Sequence, residues 1–194
     1  MKRTMPKASK RANTKTQLIR AARDLTMRSE FVAALQILNK YLQIVNPKEV
    51  DVLILKGNIL DASGDFETAK RVYKQVLRLA PRNPVPLIDL AGYYLLGEPS
   101  RARTALRYYN KALKLLWSGR FYADIEDEIT EVCLGKSDAL IKLGRPSDAI
   151  RCLLKGLEKY PFASRLTEAI KRVQRVSVRN KKPRPSISVP SKHL

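Results

Sequence analysis

Histidine is almost absent from this chain of 194 residues, which holds a single one, His193, next to its C-terminus. One histidine in that position leaves no histidine base and no histidine metal cluster within a fold. The sequence has no glycine-rich phosphate loop and no nucleophile elbow either. We therefore predict a protein that is not an enzyme and that has no catalytic residues, no cofactor and no metal site.

Cysteine is nearly as rare, since only Cys133 and Cys152 occur. Two cysteines are too few for a disulfide-stapled secreted fold, and both lie at apolar positions, so we expect reduced, buried thiols. No apolar run approaches the ~18 residues of a membrane span, and the first residues lack the apolar core of a secretory signal. We expect a soluble, cytoplasmic protein, with an organelle left open.

Acidic residues are scarce as well: 18 Asp and Glu stand against 38 Lys and Arg, for a formal net charge of +20. Residues 1–15 contain six cations and no acid, and residues 165–194 contain nine cations and one acid, Glu168. Segments this charged and this poor in large apolar groups cannot bury a core. We predict disordered basic tails at residues 1–14 and 179–194, the second rich in proline and serine, that contact a polyanion.

What the chain does have is an internal repeat of about 34 residues. In its clearest copy Gly57, Ala69 and Pro81 are spaced twelve residues apart, with a turn at residues 63–65 between two helical halves. Apolar residues in each half recur at intervals of three and four, which predicts amphipathic helices. Small residues recur where the two helices of a hairpin would cross, at Ala22, Ala34, Gly57, Ala69, Ala91, Ala105, Ser137 and Ala149. One hairpin cannot bury its own apolar face, so several must stack.

This grid of small residue, alanine and proline resembles the tetratricopeptide repeat family over roughly residues 15–161. The resemblance implies an all-α fold, a right-handed α-solenoid of about four helix-turn-helix repeats plus a C-terminal capping helix. It predicts repeats at about 15–49, 50–83, 84–117 and 118–161, a capping helix at 162–178, and tails at 1–14 and 179–194. The family also implies protein partners, with self-association left open.

In this family the first helix of each repeat lines a concave groove, and the resemblance places one apolar residue of each repeat there, namely Ile19, Ile54, Ile88 and Leu134. Beside this apolar ladder it places Arg23, Asn58, Asp61, Leu95, Asp138, Ile141 and Lys142. Members that bind the acidic tails of chaperones use a clamp of Lys, Asn and Arg, whereas Ile19, Ile54 and Asp89 occupy those places here. We expect the groove to take an apolar or amphipathic segment, although ladder residues at this spacing can also simply pack under neighbouring helices.

Cations form two stripes on the second helices of the second and third repeats, because residues four apart share a helix face. We call this set the basic ridge and predict that it contacts a polyanion; it comprises Lys70, Lys74, Arg78, Arg103, Arg107, Lys111 and Lys114. Second helices form the convex side of a solenoid of this kind. Tyr108 and Trp117 interleave with the cations, a composition that can hold phosphates and stack bases. Exposed basic stripes can also be no more than solvated surface.

Some ten extra residues, around 118–128, separate the third and fourth repeats. They open the only concentrated acidic stretch, which contains Asp124, Glu126, Asp127, Glu128 and Glu131. We interpret it as the start of a longer first helix, where negative charges suit the helix dipole. The alternatives are an intramolecular screen, a docking site for a basic partner or, last, a carboxylate metal cluster.

Together these features predict a non-enzymatic protein-interaction scaffold or adaptor. Its groove binds a partner segment, and its ridge and tails contact a polyanion such as a ribonucleoprotein. The alternative is a nucleic-acid-binding protein, for RNA more than DNA, in which the solenoid is a frame for cations. Attraction of the tails to an anionic membrane ranks last, because no lipid anchor or amphipathic membrane helix accompanies them.

Overall fold

The computed structural model describes residues 7–96, 99–118 and 125–181, and all regular structure in these ranges is helical. The helices are α1 (Lys7–Met27), α2 (Phe31–Ile44), α3 (Val50–Ala62), α4 (Phe66–Leu79), α5 (Val85–Leu96), α6 (Ala102–Trp117), α7 (Glu126–Lys142), α8 (Pro146–Lys159) and α9 (Ser164–Lys181), with a 3₁₀ turn, Pro99–Arg101, before α6. The predicted all-α solenoid of helical repeats is confirmed. Within the described ranges no helix is long and apolar enough to cross a membrane.

The helices pair in chain order and the pairs then stack. Each of α1, α3, α5 and α7 forms a hairpin with the helix that follows it. The first helix of one pair also contacts the first helix of another, as α1 contacts α3 and α5 contacts α7, and α7 contacts α9 in the same way. The first helices therefore form an inner layer and the second helices an outer layer.

The turn inside the hairpin has the same backbone conformation in the three pairs whose turn the structure describes in full. Ser29, Gly64 and Gly144 have positive φ angles of 61°, 87° and 71°. The N–H of the following residue then donates to the carbonyl oxygen five residues earlier, at 2.8–2.9 Å. This left-handed residue closes the first helix and satisfies a carbonyl that the helix end leaves free.

Two close helix contacts depend on glycine facing tyrosine, one inside the α3–α4 hairpin and one between α6 and α7, which belong to successive hairpins. A Cβ atom at Gly57 would lie 2.5 Å from Cε1 of Tyr73, and one at Gly135 would overlap the phenol of Tyr109. Both tyrosines are buried, so each ring lies directly on bare helix backbone. The alanines of the predicted small-residue grid are buried too. Small residues at these positions let the helices approach closely.

The core continues through the whole stack, because α5 belongs to both of its halves. Leu90 of α5 packs in the cluster formed with α1–α4, and Leu87 and Ala91 pack in the cluster formed with α6–α9. Cys133 and Cys152 are buried free thiols in the second cluster. The hydrogen bond to Cys152 and burial raise the pKa of the Cys133 thiol.

Helix α9 covers the apolar end of the last pair. Leu166, Ala169 and Val173 are buried against the cluster that α7 and α8 help to form. We predicted a capping helix at 162–178; the helix begins at Ser164 and continues to Lys181, so residues 179–181 extend it and do not belong to a tail.

Helix α1 begins earlier than the sequence suggested. Residues 7–14, predicted as part of a disordered tail, are helical. Lys, Arg and Ala make up five of these eight residues and are strong helix formers, and no proline or glycine follows Pro6 in this stretch, so the prediction gave charge too much weight against propensity. Helix α7 begins at Glu126 with three acids in its first turn, as the dipole interpretation expects. The predictions that fall on residues 1–6, 97–98, 119–124 and 182–194 lie outside the described residues.

Replacing Ser29 by glycine should stabilise the fold. A left-handed conformation costs a residue with a Cβ atom roughly 1 kcal/mol, and glycine avoids this at the expense of a more flexible unfolded chain, so we expect a net gain of about 0.5 kcal/mol. Urea denaturation measures the change in the free energy of unfolding. The reverse change at the equivalent position, Gly64→Ala, should lose about 1 kcal/mol. A loss in Ser29→Gly would show that the turn carries no strain.

Adding one methyl group to Gly57 should destabilise the fold by about 2 kcal/mol, because the buried ring of Tyr73 must move to admit it. Gly92 in α5 is the matched control, since no atom lies within 4 Å of where its Cβ would be. Gly92→Ala should be neutral or gain ~0.5 kcal/mol from helix propensity. Urea denaturation compares the two variants, and equal effects would mean that the ring contact is unimportant.

Candidate partner-binding groove

A cavity of about 450 Å³ opens on the inner layer, between α3, α5, α7 and α9. The first helices provide most of its wall because they stack side by side, and α9 adds a further side because it packs next to α7. We call this cavity the inner groove. It is lined by Asp61, Ile88, Asp89, Gly92, Tyr93, Leu95, Leu96, Tyr109, Glu131, Leu134, Gly135, Asp138, Arg165 and Arg172.

Five of the residues predicted for the groove line this cavity, the apolar Ile88, Leu95 and Leu134 and the acidic Asp61 and Asp138. Each of the three apolar side chains is half-buried, with part of it packed on the core and part facing the groove. Leu96, which the prediction omitted, adds an apolar side chain that is 79% exposed.

The other predicted groove residues do not line the inner groove. Ile19 and Ile54 pack on the core of the N-terminal half, and Ile141 packs on the core of the C-terminal half. Arg23 and Asn58 are exposed, and Asn58 accepts a hydrogen bond from Tyr73 at 3.0 Å. The cavity forms in the C-terminal half, where α9 supplies an additional wall.

Four carboxyl groups converge in the inner groove although the chain carries a net charge of +20. They are Asp61 from α3, Asp89 from α5, and Glu131 and Asp138 from α7. Arg165 donates to Glu131 at 3.0 Å, and Arg172 donates to Asp138 at 2.9 Å. In the part of the chain that the structure describes, Asp61 and Asp89 have no cationic partner. Within those ranges no three His, Cys, Asp or Glu side chains, these four included, are placed so that they could hold a metal ion together.

Asp89 is the most unusual of the four carboxyl groups. Its Oδ2 atom is buried and has no hydrogen-bond partner in the ranges that the structure describes. Burial, together with the nearby charge of Asp61, raises the pKa of Asp89 to about 7. Burial also raises the pKa of Asp61. We call these two carboxyl groups the acidic niche. When they are ionised, they lack the counter-charge that a buried carboxylate needs.

Two buried phenols lie near the niche. Burial and the charges of Asp89 and Asp61 raise the pKa of Tyr73, and burial raises the pKa of Tyr109, so both phenols are neutral at physiological pH. Tyr73 donates its hydroxyl proton to Asn58. That proton is therefore engaged elsewhere and does not satisfy Asp89.

The groove continues along α9 as a second cavity of about 810 Å³, which shares Leu134, Arg165 and Arg172 with the first. Arg175 and Val176 extend its wall. The inner surface thus has carboxyl groups on the side of α3 and α5 and guanidinium groups on the side of α9, with the two ion pairs at the boundary.

The basic ridge lies on the outer helices α4 and α6. Lys70 departs from the prediction, because its side chain is 18% exposed, pairs with Glu67 at 2.5 Å and lies 4.6 Å from the ring centre of Tyr93. The other predicted ridge residues are all exposed and form no ion pair among the described residues; they are Lys74, Arg78, Arg103, Arg107, Lys111 and Lys114. Arg107 and Lys111 flank a hollow of about 120 Å³ with Thr104 and Tyr108.

A second basic hollow, which the sequence did not lead us to predict, lies between α6, α7 and α8. It measures about 220 Å³, and its cations are Lys136, Arg145, Arg151 and Lys155. Asp148 pairs with Arg145 at 2.7 Å and with Arg151 at 3.2 Å, which neutralises part of this charge.

Comparison with known proteins supports the repeat architecture. Residues 50–83 match the family model of the tetratricopeptide repeat. The fold is similar to the crystal structure of MamA protein, with a TM-score of 0.63 and 15% identity over 86% of this chain and 84% of that one. It is also similar to a thermophilic tetratricopeptide repeat protein of Thermus thermophilus, with a TM-score of 0.63 and 17% identity over 81% of this chain and 79% of that one. At these identities the likeness shows the fold alone. No curated protein matches the sequence.

Proposed function

We propose that this chain, a solenoid with the fold of tetratricopeptide repeat proteins, is a scaffold that binds an apolar or amphipathic segment of a partner protein in its inner groove. A tetratricopeptide fold favours a protein-interaction role in general, and the proposal assigns the chain no catalytic step. The observation that carries it is an inner groove with apolar side chains open to solvent next to two carboxyl groups, Asp61 and Asp89, that have no cationic partner among the described residues.

The apolar part of the groove supports this function. Ile88, Leu95 and Leu134 are only half-buried, and Leu96 extends almost free into solvent. Apolar surface in a concave site is favourably removed from water by a ligand that fits it. A helical or extended segment with apolar side chains at regular spacing supplies such a surface. The carboxyl groups of the acidic niche and the guanidinium groups of α9 would then contact the polar side chains of that segment.

Leu96→Asp should abolish partner binding without unfolding the chain, because the residue is exposed. Burying a leucine side chain is worth roughly 2 kcal/mol, and an aspartate there must also be desolvated, so we expect a loss of at least about tenfold in affinity. The measurement is recovery of partners on the tagged full-length protein from nuclease-treated extract of the cells that make it.

Leu154→Asp is the matched control, since Leu154 is 47% exposed on the outer helix α8 and makes the same change in charge. It should keep every partner. A photo-crosslinking side chain at position 96 should react with the same partners, and one at position 154 should not. Equal recovery by both variants would contradict binding in the groove.

We propose polyanion contact at the basic ridge as a second function. The observation that favours it is the set of ridge cations without ion pairs in the described part of the chain, with Arg107 and Lys111 beside Tyr108. Cations that are free of internal carboxylates can release counterions from a phosphate backbone. A neighbouring tyrosine offers a ring on which a base can stack.

Reversing the charge at Arg107 and Lys111 should weaken binding to single-stranded RNA and flatten its salt dependence. The slope of the logarithm of affinity against that of salt should change by about 0.7 for each phosphate group that the variant no longer binds. Fluorescence anisotropy at several salt concentrations measures this. Arg20→Glu with Arg28→Glu makes the same change in net charge on the first hairpin and should have a smaller effect. Equal effects would mean that only net charge matters.

A further inference from the structure

The acidic niche is the one charged feature of the inner groove that the described residues leave unsatisfied. Apolar contact can hold many segments, so the niche is the feature that selects among them. We propose that Asp61 and Asp89 receive a cationic side chain, arginine or lysine, from a basic amphipathic segment of a partner protein. This rests on the proposed function, since the segment must lie in the inner groove.

The geometry leaves room for such a side chain. On α5, Asp89 shares a helix face with Gly92 and Leu96, which lie three and seven residues further on. Nothing lies within 4 Å of where a Cβ of Gly92 would be, so the face is open one turn from the carboxyl group. The Asp89 side chain lines the cavity, so an entering side chain can reach its carboxyl group across bare backbone while its own segment lies on Leu96. Rotation of the carboxyl group about the Cβ–Cγ bond then brings the buried Oδ2 atom to the entering cation.

A cation fits the chemistry of the niche better than the groups already present. The Oδ2 atom of Asp89 is buried without a hydrogen-bond donor, and Asp61 has no counter-charge among the described residues. Guanidinium and ammonium groups donate several charge-assisted hydrogen bonds to carboxylates. Arg165 and Arg172 of α9 are already engaged with Glu131 and Asp138.

Binding of a cation should be linked to the ionisation of Asp89. The carboxyl group of the free protein, with a pKa of about 7, is partly protonated near neutral pH. Only the ionised form pairs with a cation, so affinity should rise with pH and level off above the pKa. At about pH 6 roughly a tenth of the Asp89 carboxyl groups are ionised, and at about pH 8 nearly all are. We therefore expect affinity to rise by roughly tenfold between these two pH values.

Other groups around Asp89 have to be separated from it in this titration. Those that face the same space are Asp61 of α3, Tyr73 of α4, Tyr93 of α5, Tyr109 of α6, Glu131 and Asp138 of α7, and Arg165 and Arg172 of α9. Tyr73 and Tyr109 stay neutral throughout this range because their pKa values are raised. Burial raises the pKa of Asp138 as well, although Arg172 opposes the shift. The variant Asp89→Asn shows which group is responsible. If Asp89 causes the pH dependence of binding, this variant should remove it.

The probe is a pool of short random peptides selected on the full-length protein at physiological salt. A chain of charge +20 repels cations at long range, so general electrostatics would enrich acidic peptides. Enrichment of peptides that carry arginine or lysine beside apolar residues therefore reports a local site. Replacing the selected cation by citrulline or norleucine should cost about tenfold in affinity on the wild-type protein and little on Asp89→Asn.

The outcomes separate this inference from the proposed function. The selected peptides can lose affinity in Leu96→Asp and yet be neutral or acidic, or bind Asp89→Asn as well as wild type. Either result overturns the cation niche but leaves the proposal of binding in the inner groove standing. A failure to select any peptide that depends on Leu96 overturns both. Cationic peptides that bind both aspartate variants, Asp61→Asn and Asp89→Asn, as tightly as wild type also overturn the niche.

A stability measurement tests the niche without any ligand. The ordinary pKa of the Asp89 carboxyl group is 3.8, and the fold raises it to about 7, so the folded state keeps a proton that the unfolded state releases. The free energy of unfolding should therefore fall as pH rises between these values. Asp89→Asn should be more stable than wild type at about pH 8 and closer to it at about pH 4. An equal difference at both values would show that Asp89 is already satisfied.

Discussion

The close approach of neighbouring helices is the constraint on which this structure depends. Tyr73 of α4 lies on the backbone of α3 at Gly57, and Tyr109 of α6 lies on the backbone of α7 at Gly135, with no space for even one methyl group at either contact. The first contact is tight within a hairpin and the second is tight between successive hairpins, so the hairpins stack closely and their first helices form the inner layer. The groove is thus a product of small residues that never touch a ligand. Its position follows from the hairpins, and its chemistry from the residues that the inner helices carry.

Charge is distributed unequally between the two layers. Unpaired cations occupy the outer helices α4 and α6, whereas Asp61 and Asp89 face the groove without cations of their own in the described part of the chain. The long-range field of a chain with charge +20 draws anionic surfaces toward it, while a carboxylate in a partly buried site acts over a short distance. A partner that is acidic overall but carries a basic docking segment would be favoured by both effects. The two proposed functions therefore do not compete for the same surface.

Sequence spacing predicted the fold well because helical periodicity and small crossing residues are local properties. The alanine and glycine grid, the hairpin turns and the ladder positions Ile88 and Leu134 all follow from it. Burial of Asp89 does not follow from sequence spacing, because it requires α3, α5, α7 and α9 to be packed together. The ion pairs between inner helices did leave a trace in the sequence: Lys15 with Glu49, Glu131 with Arg165 and Asp138 with Arg172 are each 34 residues apart. Opposite charges one period apart meet because equivalent positions on neighbouring inner helices face each other, and this places α9 where the first helix of a fifth repeat would lie.

Among the described residues two buried side-chain oxygens or nitrogens lack a hydrogen-bond partner, the Oγ of Ser137 and the Oδ2 of Asp89. Ser137 has a structural explanation, because it occupies the crossing position that Ala22, Gly57 and Ala91 fill in the other repeats, where size matters more than polarity. Asp89 has none of this kind. A neutral residue of similar size would fill its place on α5 without the cost of a buried, unpaired carboxyl group. A feature that weakens the fold and serves no packing purpose is the kind that binding sites retain, since the missing partner is supplied from outside. Asp89 destabilises the folded chain on its own, and for that reason it is the groove residue that gains most from the cationic side chain of a partner.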